Sequence, residues 1–335
     1  QLPLWNPHAY SGHPFLADPQ AAVFYLPSLL TMLLGASWNV PVFALELEAV
    51  AHFCIAALFT YAFARRVIEQ RAGALVTAVA FTFGGYLTGY PPLQLSILKT
   101  VVWLPLVLLG LEAGTQRMAA SHPRPWCAFM GAGLALGMAI LAGHPQTAMY
   151  ILYASLAYGL FRTWWVRPRR RAVACLALFM LVGLGLSAAQ WLPSLEYALL
   201  SSRAGMTYQE HSGGLPLIEL RHMVLVNRSP VYAGVLPLIL ALTAIGLHQR
   251  RAVWFWAGLG AAALFLSLGG NTFVYPLFYI LVPGFALFRS QERAAFLLSF
   301  ALSMLAGYGM TALLGRPKLS WLHRLIRWSL IGALG

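Results

Sequence analysis

Long apolar segments separated by short loops constrain the fold of this 335-residue sequence more than any other feature. A helix needs about 20 predominantly apolar residues to cross a ~30 Å hydrocarbon core, and several segments are about that long. Only 9% of the residues are charged, whereas soluble domains average roughly 25%. The pattern predicts an all-α, polytopic transmembrane helix bundle.

The apolar segments predict about nine complete spans. We expect an outer loop with an interfacial helix over residues 1–39, then a helix bundle over 40–335 with outer loops at 193–230 and 270–293. A tenth span starts near Trp328 and looks truncated, and the chain opens on Gln1 rather than Met, so we expect a fragment. The nine segments are 40–64, 72–90, 93–113, 126–141, 145–166, 172–192, 231–247, 252–269 and 294–314.

Most of the 22 Lys and Arg residues lie in every second loop of this arrangement. Basic residues next to spans are retained in the cytoplasm, so these loops are predicted to be cytoplasmic. The remaining polar segments then face outward. The basic loops are centred on residues 65–71, 117–124, 162–171, 250–251 and 316–327.

Two outer segments are apolar but are not predicted to span. Residues 21–34 are too few to cross and predict a helix in the outer interface. Residues 273–288 are interrupted by Pro276, Pro283 and Gly284 and predict a re-entrant stretch. Broken backbone at membrane depth needs cover from protein or a water-filled cavity, so both segments indicate an outward cavity.

The sequence argues against several kinds of chemistry. It contains no P-loop, HExxH or GxSxG motif, and its single aspartate, Asp18, excludes a paired-Asp metal site. His8 and His13 are too weak a pattern for a metal, and the three cysteines form no CxxC pair. Most of the basic residues that give the net charge of +13 lie in short loops. We therefore predict no metal, no cofactor and no nucleic-acid partner.

Two groups of residues are candidates for binding a phosphate. His144 and Gln146 lie in an outer turn that opens a helix, where free backbone N–H groups can hold an anion. The alternative is a tight turn in which both side chains satisfy backbone groups. Arg289 and Arg293 are predicted to share a helical face with Ser290 as N-cap. The alternative for this pair is interfacial anchoring.

Acidic residues supply the candidates for catalysis. Glu196 is placed to orient a sugar hydroxyl, or it pairs with Arg203 as a structural tie. Asp18 is placed to act as an acid or base, but capping the following helix is the more ordinary role of such a residue. Both are predicted at the outer mouth of the bundle.

Polar residues inside the first span predict a wet pocket. Glu48 and His52 are four apart and share a helical face, with Glu46 on another. Lys99, near the outer end of the third predicted span, is long enough to snorkel to the surface. A proton relay would use the same acidic and imidazole groups, which keeps a transporter as an alternative.

The order of several short motifs resembles the YfhO-type bacterial membrane proteins, a family similar to the GT-C superfamily of polytopic glycosyltransferases. The likeness runs along nearly the whole chain. Its motifs include Trp5-Asn6-Pro7, Gly12-His13-Pro14-Phe15, Gly143-His144-Pro145-Gln146, Gln190-Trp191-Leu192-Pro193, Tyr232-Ala233-Gly234 and Val282-Pro283-Gly284-Phe285.

The resemblance implies a GT-C-like fold in the bacterial cytoplasmic (inner) membrane and inverting sugar transfer on the extracytoplasmic face. The substrate would be a lipid-linked sugar, namely a polyprenyl-phosphate sugar. The protein would also contact membrane lipid. The family acid usually follows the first span, so the main acid is expected before Gln1, with Asp18 as a stand-in. The shortened outer loop 215–232 keeps another interpretation open: a non-catalytic subunit in contact with other membrane subunits.

Overall fold

The structure is a computed structural model that describes residues 4–9, 11–34, 42–89, 94–225, 229–247 and 250–315, without the side chains of Leu34, Arg203, Ala204 and Leu225. Within these residues the regular structure is helical. The predicted tenth span near Trp328 and the basic residues beyond 315 lie outside the described residues.

Sixteen α-helices follow one another along the described chain. The first eight are α1 (Leu26–Leu34), α2 (Val42–Val67), α3 (Arg71–Thr82), α4 (Gly85–Gly89), α5 (Leu95–Val101), α6 (Leu104–Ala119), α7 (Trp126–Leu141) and α8 (Pro145–Thr163). The other eight are α9 (Arg169–Leu186), α10 (Ala188–Leu200), α11 (Tyr208–His211), α12 (His222–Leu225), α13 (Val235–Leu247), α14 (Arg251–Ser267), α15 (Tyr275–Leu281) and α16 (Ala295–Leu314).

Four helical stretches are long and apolar enough to cross a membrane: Val42–Val67, Arg71–Gly89, Leu95–Ala119 and Gln291–Leu314. A fifth is gained if α9 and α10 form one bent span. Three further apolar helices, α7, α13 and α14, are shorter. The chain is therefore an all-helical protein with four or five candidate membrane spans among the described residues. Helices lie over all nine predicted segments, but most of these helices are too short or too polar to count as spans by themselves.

The predicted span 172–192 is not one straight helix. Helix α9 ends at Leu186, and α10 begins at Ala188 with its axis turned by 73°. The Ser187 hydroxyl donates to the carbonyl of Gly183 at 2.8 Å, a side-chain bond that favours bending of an apolar helix. As a result α10 carries Gln190, Ser194 and Tyr197 away from the line of α9.

The two apolar outer segments are short helices, and the predicted interruption of 273–288 is confirmed. Helix α1 is only nine residues long and follows two 3-10 turns, Phe15–Ala17 and Pro19–Ala21. The later segment consists of α15 and a 3-10 turn, Phe285–Leu287, with Gly284 between them in a left-handed conformation (φ 86°).

The chain folds into two compact units. Unit 1 comprises residues 1–59, 93–211 and 277–289, and unit 2 comprises 60–92, 212–276 and 290–335. The predicted boundary at residue 39 separates an outer loop from the helix bundle. Contacts within the protein do not show which side of a membrane a residue faces, so this boundary stays a prediction.

In unit 1, α7 packs on α6 and α9 through small residues. A Cβ at Gly110 would meet Ala132, and one at Gly133 would meet Val182 and the Phe179 carbonyl. Glu112 on α6 is buried and binds Arg162 of α8 through two guanidinium bonds of 2.6 Å each. This bidentate pair ties the two helices at the predicted cytoplasmic end.

Unit 2 is built around α16, whose residues are buried on nearly all sides. Gly309 lies against the carbonyl of Leu240 in α13, and Gly307 lies against Gly73 in α3, with no space for a side chain at either contact. Small residues at such crossings allow helix backbones to approach closely, which is the usual basis of helix packing in membranes.

Candidate functional site

Asp18 lies between two 3-10 turns and is held by both of its carboxylate oxygens. Oδ1 accepts the Gln20 N–H at 2.9 Å, which is the capping role expected for this residue, although the capped helix is the short turn Pro19–Ala21 rather than α1. Oδ2 lies 3.4 Å from His13 Nε2. The other His13 nitrogen, Nδ1, lies 3.3 Å from the hydroxyl of Tyr197. Sequence reasoning set His13 aside as a metal ligand and missed Tyr197.

Gln190 fastens the Asp18 loop to α10. Its Nε2 donates to the carbonyl of Leu16 at 3.0 Å, while the side chain is 1% exposed. Its Oε1 is buried and has no hydrogen-bond partner in the described part of the chain. A buried acceptor in that state favours binding a donor such as a ligand hydroxyl or a water.

The turn before α8 lies against the same loop. A Cβ at Gly143 would come within 2.8 Å of the Pro19 carbonyl, so His144 is next to the Asp18 segment. The His144 ring is buried and caps α8, with Nδ1 accepting the Thr147 N–H at 3.2 Å. This cap uses an N–H group that an anion would otherwise take, which weakens the case for phosphate at the turn. Gln146 is also buried and donates to the hydroxyl of Tyr150 at 2.9 Å.

We call His13, Asp18, His144, Gln190 and Tyr197 the polar layer of unit 1. Chemically it offers a carboxylate, two imidazoles, a phenol and a buried amide at one end of apolar helices. Short contacts join His13 to Asp18 and to Tyr197, and Gln190 to the Asp18 loop. His144 belongs to the layer because Gly143, beside it in the turn before α8, lies against the Pro19 carbonyl.

A buried ion pair lies where the sequence predicts a wet pocket. Lys99 Nζ is 2.8 Å from Glu48 Oε1, and their side chains are only 12% and 3% exposed. Ser28 of α1 joins them, donating to Glu48 at 2.6 Å and accepting from Lys99 at 2.9 Å. Lys99 therefore does not snorkel to the surface, because its ammonium group has a partner in the interior. Ser28 gives no signal in the sequence.

His52 extends this network towards Tyr25. Its Nδ1–H donates to the Glu48 carbonyl at 2.6 Å, so in the neutral ring Nε2 accepts the Tyr25 hydroxyl at 2.7 Å. Trp103 donates its indole N–H to the same hydroxyl at 3.0 Å. Burial raises the pKa of Tyr25 above its usual value, against the opposing effect of the Trp103 bond. Together these bonds fix the entry to α1.

Two of the predicted acidic residues stay outside these contacts. Glu46 is exposed on α2, on a different face from the buried Glu48 and His52, as the helical spacing predicted. Glu196 is exposed on α10 beside Tyr197. Its predicted pairing with Arg203 lies outside the described residues, since the Arg203 side chain is not described.

The predicted shared face of Arg289 and Arg293 is wrong. Ser290 has a left-handed backbone (φ 65°) and makes no side-chain cap, and α16 begins only at Ala295. Arg289 lies outside any helix, and Arg293 lies in the short 3-10 turn Gln291–Ala294. The pair falls across the boundary between the two units. Phosphate binding by each arginine stays a prediction.

A metal centre is not indicated by the described residues, since no group of three or more His, Cys, Asp or Glu side chains among them converges on one point. Cys175 is buried as predicted for a small apolar side chain, whereas Cys54 and Cys127 are exposed on their helices, and all three are free thiols.

Comparison with known proteins gives no family assignment: no family model, no curated protein and no solved structure matches the chain.

Proposed function

We propose that this is a membrane glycosyltransferase-like protein that transfers a sugar from a polyprenyl-phosphate donor on the extracytoplasmic face of the bacterial cytoplasmic membrane. The observation that carries the proposal is the polar layer of unit 1. It gathers the only aspartate of the chain with two imidazoles at the predicted outer end of apolar helices. The resemblance to YfhO-type and GT-C proteins supports the same reaction.

The topology belongs to the same proposal. The nine predicted segments would all be spans, with the shorter helices packed inside the bundle and the arginine-rich loops in the cytoplasm. A GT-C-like arrangement would then leave α1 in the outer interface above the Glu48–Lys99 pair.

In the proposed reaction, Asp18 accepts the proton of an acceptor hydroxyl. The acceptor oxygen forms a bond to the anomeric carbon as the bond from that carbon to the phosphate oxygen breaks. The polyprenyl phosphate leaves with the bonding electron pair, and a cationic side chain such as Arg289 stabilises its charge. Glu196 would orient the sugar.

The test is release of polyprenyl phosphate from polyprenyl-phosphate hexoses in vesicles that contain the purified protein, followed by mass spectrometry. Asp18→Asn keeps the cap because Asn also caps helices, and it should lower turnover by at least about 100-fold.

Glu210→Gln is the matched control, because this exposed carboxylate accepts hydrogen bonds within its own turn, from Thr207 N–H and Oγ1. Turnover that is equal in Asp18→Asn and wild type would contradict the proposal. Failure to turn over any donor, combined with stable co-purification of other membrane polypeptides, would instead favour a non-catalytic subunit.

A second candidate, a proton-coupled transporter, is favoured by one observation: the buried Glu48–Lys99 pair with His52 beside it. Ionisable groups at membrane depth often carry protons or ions. In proteoliposomes that contain a pH-sensitive dye, Glu48→Gln would abolish proton movement and Glu46→Gln would leave it intact. Proton movement that survives Glu48→Gln would rule this candidate out.

A further inference from the structure

One end of unit 1 carries a concentration of arginines, most of which form no ion pair with a carboxylate of the described residues. Between Glu112 and Glu196 the sequence has seven arginines and no acidic residue. Glu112 is already bound by both arms of the Arg162 guanidinium, at 2.6 Å each. The other arginines of this stretch therefore have no acidic neighbour in the sequence.

Hydrogen bonds join two arginine-containing loops of unit 1, so their side chains form one surface. Arg171 donates to the carbonyls of His122 and Pro123, at 3.3 and 3.1 Å, so the loop before α7 lies against the start of α9. The side chain of Arg169 lies over the ring of Trp164, 5.5 Å from its centre. We call the resulting surface the basic–aromatic patch; its residues are Arg124, Trp164, Trp165, Arg167, Arg169 and Arg170, all exposed.

No carboxylate of the described chain forms an ion pair with the four arginines of the patch. Arg169 and Arg170 also lie in the first turn of α9, where positive charge is unfavourable for the helix dipole. A different basic loop behaves in the opposite way: in unit 2, Arg250 pairs with Glu69 at 2.5 Å. The arginines of the patch therefore have no carboxylate partner among the described residues, whereas Arg250 in the other loop has one.

We propose that the basic–aromatic patch binds the headgroups of anionic phospholipids in the leaflet at this end of the helices. Guanidinium groups hold phosphate oxygens through paired hydrogen bonds and stay charged at any relevant pH. Exposed tryptophans beside apolar helices are typical of the membrane–water interface. The proposal needs the helices to cross a membrane and does not depend on sugar transfer.

The test measures lipid retention by the full chain with native mass spectrometry, after exchange into mixtures of phosphatidylglycerol and phosphatidylcholine. Each basic residue near an anionic bilayer contributes about fivefold to affinity, so Arg169→Gln/Arg170→Gln should weaken phosphatidylglycerol retention by about 25-fold. Arg250→Gln/Arg251→Gln removes the same charge from the other loop and should change retention less than about threefold. High salt should weaken the wild-type preference.

A photoreactive phosphatidylglycerol on the wild-type protein provides a second measurement that needs no variant to fold. Adducts should map to residues 121–125 and 164–171. Unchanged retention in Arg169→Gln/Arg170→Gln, an equal loss in both double variants, or adducts only elsewhere would overturn the proposal. The proposal would also be overturned if the wild-type protein showed no preference among lipids and a soluble polyphosphate displaced the bound lipid.

Discussion

Glu46 and Glu48 are two residues apart, yet they have opposite surroundings. The Glu48 carboxylate is buried against Lys99 and Ser28, whereas Glu46 is exposed. Helical periodicity predicted the different faces, because residues four apart align and residues two apart do not. It did not predict the partner of Glu48, because Lys99 lies on another helix and only the folding of α5 against α2 and α1 brings it there.

Glu48→Gln should destabilise the protein strongly, because it leaves the Lys99 ammonium group buried without its counter-charge. Breaking one half of a buried ion pair costs about 3–5 kcal/mol. We expect a fall of roughly 5–15 °C in the unfolding midpoint in detergent. Glu46→Gln should change the midpoint by less than about 2 °C. Glu48→Leu/Lys99→Met should recover most of the loss, and equal effects of both single variants would contradict the assignment.

The surroundings of Glu219, which lies outside the candidate spans, predict that the stability of its segment depends on pH. The hydrogen bond from His222 at 2.7 Å, followed by that from Ser229 at 3.1 Å, lowers the pKa of the Glu219 carboxyl below its usual value. A lowered folded-state pKa stabilises the fold above the unfolded-state value, and the stabilisation is lost as the pH falls through the folded-state value.

The protection factors of the amides of residues 217–225, taken relative to intrinsic exchange at each pH, should therefore be high at pH 7 and lower below about pH 4, near the ordinary pKa of Glu. Glu219→Gln should remove this pH dependence. Protection that is the same at both pH values in the wild type would show that the carboxylate does not hold this segment.

At the scale of elements, the lengths of the apolar segments predicted where helices form but not where they bend. The break at Ser187 gives α10 a separate direction, and it is this direction that brings Gln190 and Tyr197 to the Asp18 loop. A run of 20 apolar residues is compatible with a straight helix and with a bent one, so its length does not predict a bend. The polar layer therefore depended on tertiary structure.

The contact between α16 and α13 allows a prediction at the same scale. A methyl group at Gly309 would collide with the Leu240 carbonyl, so Gly309→Ala should force the helices apart and lower the unfolding midpoint by several degrees. Gly258 lies in α14 with open space around its Cα, and Gly258→Ala should raise helix stability by about 0.5–1 kcal/mol. Thermal unfolding of both variants tests this, and a stabilising Gly309→Ala would contradict the close approach.

For the whole molecule, the charge pattern predicts that residue 122 is cytoplasmic and residue 20 is outside. In a cysteine-free background, His122→Cys should react with an impermeant thiol reagent only after the cells are opened, and Gln20→Cys should react in intact cells. Glu69→Cys serves as a second cytoplasmic position, because its loop belongs to the same predicted side. Labelling of residues 69 and 122 from opposite sides would overturn the proposed topology.

The sequence by itself determined that the chain forms several apolar helices long enough to cross a membrane, because apolar segments of this length satisfy their backbone polar groups within a helix. Helical spacing also fixed which residues share a face, as Glu48 and His52 do. Only the tertiary structure decided the partners: Lys99 for Glu48, Tyr25 for His52, Tyr197 for His13, and backbone carbonyls for Arg171. These contacts join residues on different elements, so they depend on how helices bend and pack, which local sequence patterns do not encode.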